Sequence, residues 1–231
     1  MTRSSFAIPV AALALAAGLL LGATAMSADQ TSPDDWRPLF DGKTLAGWRG
    51  YKTTTAPTGW QAVDGTLVRN GPGGDLMTVE EFGDFELELE WKVGPGGNSG
   101  VIYRVAPGAD QPWHTGPEMQ VLDNAKHADG KNPLTSAGSN YAVHAPVKDV
   151  TRPVGEWNAM RLLVRGNHVE HWLNGVKLLE YELGSADWQA RVKASKFATL
   201  PGYGRARRGH LVLQDHGDVV AFRNLRIRAL S

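Results

Sequence analysis

Residues Phe85 to Val93, FELELEWKV, alternate apolar and polar side chains without error: Phe85, Leu87, Leu89, Trp91 and Val93 against Glu86, Glu88, Glu90 and Lys92. A two-residue period puts the first set on one face of an extended strand and the second on the other, whereas a helix would scatter both sets around its axis. The segment therefore reads as a half-buried strand. Any fold for this chain has to supply a sheet with one apolar face and one wet face.

Further runs repeat the pattern. WQAVDGTLVR predicts a hairpin, Trp60 to Val63 and Thr66 to Arg69, about an Asp64-Gly65 turn able to take positive φ. GNSGVIYRV follows Gly94-Pro95-Gly96-Gly97 directly and is expected to pair with the Phe85 to Val93 strand. WNAMRLLVRG and HVEHWLNGVKLLEYEL supply three more strands, with Asn174-Gly175 as a second hairpin turn. HLVLQDHG and VVAFRNLRIRAL are expected to close the chain as a pair around Gly217-Asp218. About ten strands without crossover helices specify an all-β fold of two antiparallel sheets packed face to face. The stretches that do not alternate, Pro107 to Gly116, Asn124 to Ser139 and Leu183 to Gly209, are long for loops of a compact domain. Loops of that length are more often functional than idle, and these three are expected to wall a cleft.

The first 25 residues read as a secretory signal: Arg3 in a basic n-region, an apolar run from Ala7 to Leu21, and a small-x-small site at Ala23-Thr24-Ala25. The apolar run is shorter than the ~20 residues of a spanning helix, so the protein is expected to be periplasmic or secreted with no membrane span. Residues 26–37 form a polar leader, and residues 38–231 one domain large enough to close a core without staples. The chain has no Cys, which removes disulfides, thiolate catalysis, thiolate metal sites and a lipid-anchored cysteine together. Its 24 basic and 24 acidic residues balance, so no electrostatic footprint for nucleic acid is present. Eight Trp offer flat stacking surfaces that suit a small carbohydrate or glycoside partner. Oligomeric state is left open.

Four groups of residues can carry chemistry. In GPEMQVLDN, Glu118 and Gln120 share a strand face, and a carboxylate beside an amide can act as general base or acid. In QDHG, strand alternation puts His210, Gln214 and His216 on one face, where a His can move a proton near neutral pH. In GNSGVIYRV, Asn98 and Ser99 offer short polar contacts, Tyr103 a stacking ring, and Arg104 a guanidinium that, sharing a face with Ile102, needs a carboxylate such as Glu118 or Glu90. In DNAKHAD, Asp123 and His127, with Asp129, could ligate a divalent cation, and Trp113 could stack on a sugar. The remaining His114, His144, His168 and His171 read as surface or cleft-rim residues. No Gly-x-Ser-x-Gly elbow, Walker loop, dinucleotide fingerprint or His-Glu-x-x-His occurs, which excludes serine acyl transfer of that type, nucleotide chemistry and zincin proteolysis.

PLFDGKTLAGWRG, FELELEWKVGPGGNSGVIYRV, GPEMQVLDN, VGEWNAMRLLVRGNHVEHWLNGVKL and GHLVLQDHGDVVAFRNLRIRAL together closely resemble the 3-keto-disaccharide hydrolase domain family, in the family's order and over about residues 38–230. The chain departs from the family pattern at Ala137 to Val143, AGSNYAV where members carry a GALY-like stretch, and in the loop Leu183 to Gly209. The resemblance implies a concanavalin A-like jelly-roll β-sandwich and a secreted or periplasmic enzyme that acts on glycosides oxidised at C3.

A ketone at C3 acidifies the C2 proton, so the glycosidic bond can be cleaved by proton abstraction and elimination, with water added afterwards. That route needs a base at C2, a polarising group at the C3 oxygen and an acid for the departing oxygen. On this reading Glu118 or His216 is the base, and Arg104 and Gln120 polarise or position the ketone. Asn98, Ser99, Glu90, Tyr103, Gln214 and Trp113 contact the substrate, and a cation on Asp123 and His127 is an alternative polarising group. Two other readings share the fold: a lectin-like module without turnover, and a laminarinase-type glycanase. The second expects alternating carboxylates where this strand reads Glu118, Gln120, Leu122.

Overall fold

The computed structural model describes Met1 and residues 35–230; the rest of the expected secretory signal and most of the expected polar leader lie outside the described residues. Among the described residues no helix is long and apolar enough to cross a membrane. The strands are β1 (Arg37–Pro38), β2 (Trp48–Gly50), β3 (Trp60–Val63), β4 (Thr66–Arg69), β5 (Leu76–Phe82), β6 (Phe85–Val93), β7 (Asn98–Val105), β8 (Glu118–Leu122), β9 (Asn158–Arg165), β10 (His168–Leu173), β11 (Val176–Glu182), β12 (Gly209–Leu213) and β13 (Val220–Ala229). They form two antiparallel sheets. One runs β11-β10-β9-β6-β13-β4-β3, with β1 paired to β13, and the other β2-β5-β12-β7-β8.

The alternation of β6 explains the large sheet. Leu87, Leu89 and Trp91 enter the core between the sheets, while Glu86, Glu88 and Glu90 face outward opposite Arg228, Arg226 and Arg223 of β13. These pairs close at 2.7 Å for Arg228 Nε to Glu86, 2.8 Å for Arg226 Nε to Glu88 and 2.7 Å for Arg223 Nε to Glu90. Both expected hairpin turns form, with positive φ at Asp64, Gly65, Asn174 and Gly175.

Two expected pairings do not form. β6 and β7 lie in different sheets, as do β12 and β13. The Gly94 to Gly97 segment is a crossing between layers: a Cβ on Gly97 would stand 2.9 Å from Val93 Cβ and 3.0 Å from the Gly94 carbonyl, so only glycine allows so sharp a turn. Both edges of β6 are taken by β9 and β13, which leaves no partner site for the strand that follows.

The three long segments are structured. Pro112–His114 is a 3-10 turn, Ala128–Lys131 and Pro133–Thr135 are two more, and Ala186–Lys193 forms one α-helix, α1, capped by the Ser185 hydroxyl accepting from Trp188 N. Trp188 is the buried residue of α1, and it enters a ladder of stacked rings, His144, Tyr181, Trp188, Tyr203 and Phe197. A second, smaller apolar cluster, Met77, Ile102, Val105 and Val212, lies on the other face of the five-stranded sheet beneath Tyr51 and Trp113. These packings fix the segments as walls.

Arg104 does not point where strand alternation predicts. Its φ is +50° and the β7/β12 register shifts beside it, so the side chain leaves the Ile102 face. It donates instead to Asp84 Oδ1 at 2.8 Å, to the Gly83 carbonyl from Nε at 3.1 Å, and to the Gly166 carbonyl at 2.7 Å. Arg104 is thus a buried structural clamp. Replacing it by Ala is expected to lower the unfolding free energy by about 2–3 kcal/mol, the scale for losing hydrogen bonds from a charged, buried donor. Urea denaturation checks this; a change below about 1 kcal/mol, the scale of an exposed ion pair, contradicts the clamp.

Candidate active site

The outer face of the five-stranded sheet is built in rows. Met77, Val212, Ile102 and Glu118 lie side by side across four strands, and Gln214, Gly100 and Gln120 form the next row. Apolar residues of the first row are roofed by Tyr51 and Trp113, and the row ends on a carboxylate. Glu118 is 4 % exposed, Gln120 1 % and Asn98 2 %.

Glu118 can lie this low because its neighbour on β7 has no side chain. A Cβ on Gly100 would meet Glu118 Oε1, with Cδ at 2.6 Å and Cγ at 2.8 Å, so the carboxyl rests directly across the glycine backbone. The Gln120 amide lies between Glu118 and Asn98. In one orientation its nitrogen donates to Glu118 Oε1 at 3.2 Å and to the Ser99 carbonyl at 3.1 Å; in the other it meets Asn98 Oδ1 at 3.3 Å. Burial pushes the Glu118 carboxyl up to about 8; the charge of Lys196 opposes the rise, and those of Asp75 and Asp129 add to it. A second acid stands in the same field: burial, with the neighbouring Asp215, raises Asp75 to about 6.

The walls carry the residues that sequence reading missed. Lys196, from the segment after α1, places its ammonium 4.3 Å from the Tyr141 ring centroid, 5.0 Å from that of Trp113 and 5.2 Å from that of Phe197. Burial lowers its pKa, while Glu118 and Asp129 pull it back up. Tyr141 donates its hydroxyl to Asp129 at 3.0 Å, and burial with that carboxylate holds the phenol well above its usual range. Of these, Asp129 alone stood in a pattern that sequence could flag. Lys196 and Tyr141 fall in the two stretches where the chain departs from the family pattern.

The other expected residues divide. Asn98 lies on the floor, and Gln214 adjoins Gly100 through a 2.9 Å bond from its backbone nitrogen. Trp113 lies on the wall. His216 is an exposed rim residue past the end of β12, its ring 6.2 Å from that of His127, whose Nε2 lies 3.4 Å from the Asn98 amide nitrogen on the floor. His210 is turned by the β12 bulge toward Glu81, 3.4 Å away.

Ser99 alternates to the opposite side and donates to the Gln214 carbonyl at 2.8 Å. Tyr103 is fully buried in the core, bonded to His171 at 3.2 Å and to Tyr181, and presents no ring to a ligand. Glu90 faces outward on the other sheet, held by Arg223 and Asn224. His171 and His144, expected at the surface, are buried, and burial drives them down to about 3 and about 4.

The cation pair fares no better. The Asp123 carboxylate accepts from the backbone N–H groups of Gly96, Ala125 and Lys126 at 2.7, 3.0 and 3.3 Å, the work of a loop brace. His127 Nδ1 accepts from Asp129 N at 3.1 Å, and its Nε2 lies 3.4 Å from the Asn98 amide nitrogen, so both ring nitrogens already face protein groups. These two residues do not fit a divalent cation. The one converging group of three His or acidic residues among the described residues, His168, Glu170 and Glu180, has the Lys177 ammonium 2.6 Å from Glu180 and 3.6 Å from Glu170.

A buried carboxyl of raised pKa, a facing ammonium and amide donors on a sheet flanked by half-buried aromatics can move a proton at a carbon acidified by a carbonyl. Comparisons with known proteins agree on the class of fold and family. The chain is 36% identical to a 3-keto-disaccharide hydrolase of Bacteroides thetaiotaomicron, over 86% of this chain and 79% of the relative. A crystal structure of a candidate glycosyl hydrolase from Parabacteroides distasonis superposes with a TM-score of 0.80 at 37% identity, covering 85% of this chain and 94% of that one. A Bacillus licheniformis β-glucanase, 11% identical, shares the jelly-roll sandwich with a TM-score of 0.50 over 87% of this chain and 100% of its own. The model of the 3-keto-alpha-glucoside-1,2-lyase-like domain matches residues 35–228, and the chain belongs to that family.

Proposed function

We propose that this protein is a glycosidic-bond-cleaving enzyme that acts on 3-keto-glycosides, with Glu118 as the base that removes the C2 proton. The observation that carries the reading is the Glu118 carboxyl lying across Gly100 on the floor of the sheet, where burial raises its pKa to about 8. A carboxylate in so dry a place is a stronger base than one in water, and a C2 proton beside a ketone demands one. The family match and the 3-keto-disaccharide hydrolase relative support the substrate class.

Abstraction leaves the C–H electron pair in an enolate across C2 and C3. Its collapse forms the C1–C2 double bond, restores the ketone and expels the oxygen at C1, to which the proton held by Glu118 can pass. Water then adds across the double bond to complete a net hydrolysis. Gln120 and Asn98 line the floor beside Glu118 and hold the sugar hydroxyls by hydrogen bonds, with the Trp113 ring as a stacking wall. The chain carries one carboxyl where a β-glucanase strand would carry two, because Leu122 follows Gln120 on β8. The signal-like pattern of Arg3, Ala7 to Leu21 and Ala23-Thr24-Ala25 supports a periplasmic or secreted location for this activity.

Release of aglycone from a 3-keto-glucoside is the test. Glu118→Gln is expected to lower kcat by about 10²–10⁴-fold, the range for a removed general base, with substrate still bound. Gly100→Ala is expected to match it without touching a reactive group, because its methyl displaces the carboxyl; full activity in Gly100→Ala contradicts the placement of Glu118. A sugar-binding module would show no release from the wild type at all.

The acid dependence has a definite sign. Only the ionised form of Glu118 accepts a proton, and its pKa is raised, so kcat/KM is expected to climb with pH through about 8 and level off above it. A profile already flat from pH 5 to 9 rules out this carboxyl as the base.

A further inference from the structure

The proposed reaction needs a positive group at the C3 oxygen, and Arg104, the residue that sequence alternation offers, is committed to Asp84, Gly83 and Gly166. We infer that Lys196 is the catalytic residue that fills this place: its ammonium, held by Tyr141, Trp113 and Phe197 beside Glu118, hydrogen-bonds the C3 oxygen as negative charge builds there. The assignment rests on the reading of Glu118 as base.

Lys196 is an exposed residue, yet the end of its side chain lies 4.3, 5.0 and 5.2 Å from three aromatic ring centroids. Aromatic faces attract a cation without taking up its N–H groups. Among the described residues the ammonium has no hydrogen-bond acceptor and no carboxylate within ion-pair distance. Its three donors are therefore free for a ligand. Glu118 and Asp129 are the acids whose charges act on it, so it stands in the same cleft as the base without being neutralised by it.

The cage is built for position. Phe197 is buried and stacks on Tyr203 at 4.0 Å, and Tyr203 stacks on Trp188 of α1. Tyr141 is fixed by its bond to Asp129 and by its backbone nitrogen donating to the Glu118 carbonyl at 3.0 Å. The strand that carries the base thus also orients one ring of the cage. When Glu118 takes the C2 proton, the C–H pair moves into the C2–C3 bond and the carbonyl pair onto oxygen. The ammonium stabilises that oxygen by hydrogen bonding, and the pairs return as the C1–O bond breaks.

The test is exchange of the C2 proton for deuterium in a methyl 3-keto-glucoside incubated with the full protein in heavy water, followed by NMR, alongside cleavage kinetics. Wild type is expected to exchange or cleave. Lys196→Met is expected to lose about 10²–10³-fold in the rate of C2 proton removal, seen in kcat rather than KM, the scale of one lost oxyanion donor. Lys196→Arg, which keeps the charge, is expected to recover to within about tenfold of wild type on the same scale.

Rates within about threefold of wild type in Lys196→Met, a loss confined to KM, or an Arg variant as slow as the Met variant each overturn the assignment of Lys196 while leaving Glu118 in place. Absence of both exchange and cleavage in the wild type strikes the reading of Glu118 itself. Because Lys196 is exposed and itself makes no ion pair among the described residues, its variants are expected to fold, which an unchanged far-UV spectrum checks.

Discussion

A carboxyl group can be sunk onto the face of a β-sheet only where the adjoining strand leaves room for it, and here the room is the missing side chain of Gly100. From that juxtaposition follow the dryness of Glu118, its pKa of about 8, and the use of Gln120 as the amide beside it. An uncompensated charge at this depth is costly, so the group rests protonated near neutrality and becomes a strong base when ionised. The rest of the sandwich can be understood as what keeps the carboxyl low and covered without closing it off.

That cover has two anchors. On one side the satellite cluster of Met77, Ile102, Val105 and Val212 holds down the segments bearing Tyr51 and Trp113. On the other the ring ladder from His144 to Phe197 fixes the segment after α1, and with it Lys196, against the sheet. Beneath the ladder three buried side chains form a network, Tyr103 with His171 and Tyr181, and His171 with the Gly138 carbonyl at 3.1 Å. Such a network favours one packing arrangement, because each member left without a partner would be costly in so dry a place. Fold and site are joined through these anchors, since the same aromatic side chains serve both.

Alternation made the strands legible, as in Phe85 to Val93, because each sheet has one face on the core. It could not say which sheet a strand joins. Gly94 to Gly97 suits a hairpin and a crossing between layers equally well by composition, and only the occupied edges of β6 decide. Glu118 and Gln120 were visible as a face-sharing pair, but Arg104 was misplaced because a positive-φ bulge breaks the two-residue period without a glycine to announce it. Tyr103 and Glu90 obey the period and were misassigned for a different reason: a single strand does not reveal whether its polar or its apolar face meets the cleft. Lys196 was beyond reach, since its cage is assembled from Trp113, Tyr141 and Phe197, residues far apart in sequence that meet only after the loops have folded.

The central claim is that one buried carboxyl, on a glycine floor, is the base of this site. It is tested most directly by titrating the Glu118 carboxyl itself, following the side-chain carbon resonance of ¹³C-labelled glutamate in the wild type and assigning it by its loss in Glu118→Gln. The account predicts a midpoint near 8. A midpoint of about 4 to 5, the range of a glutamate in water, contradicts it.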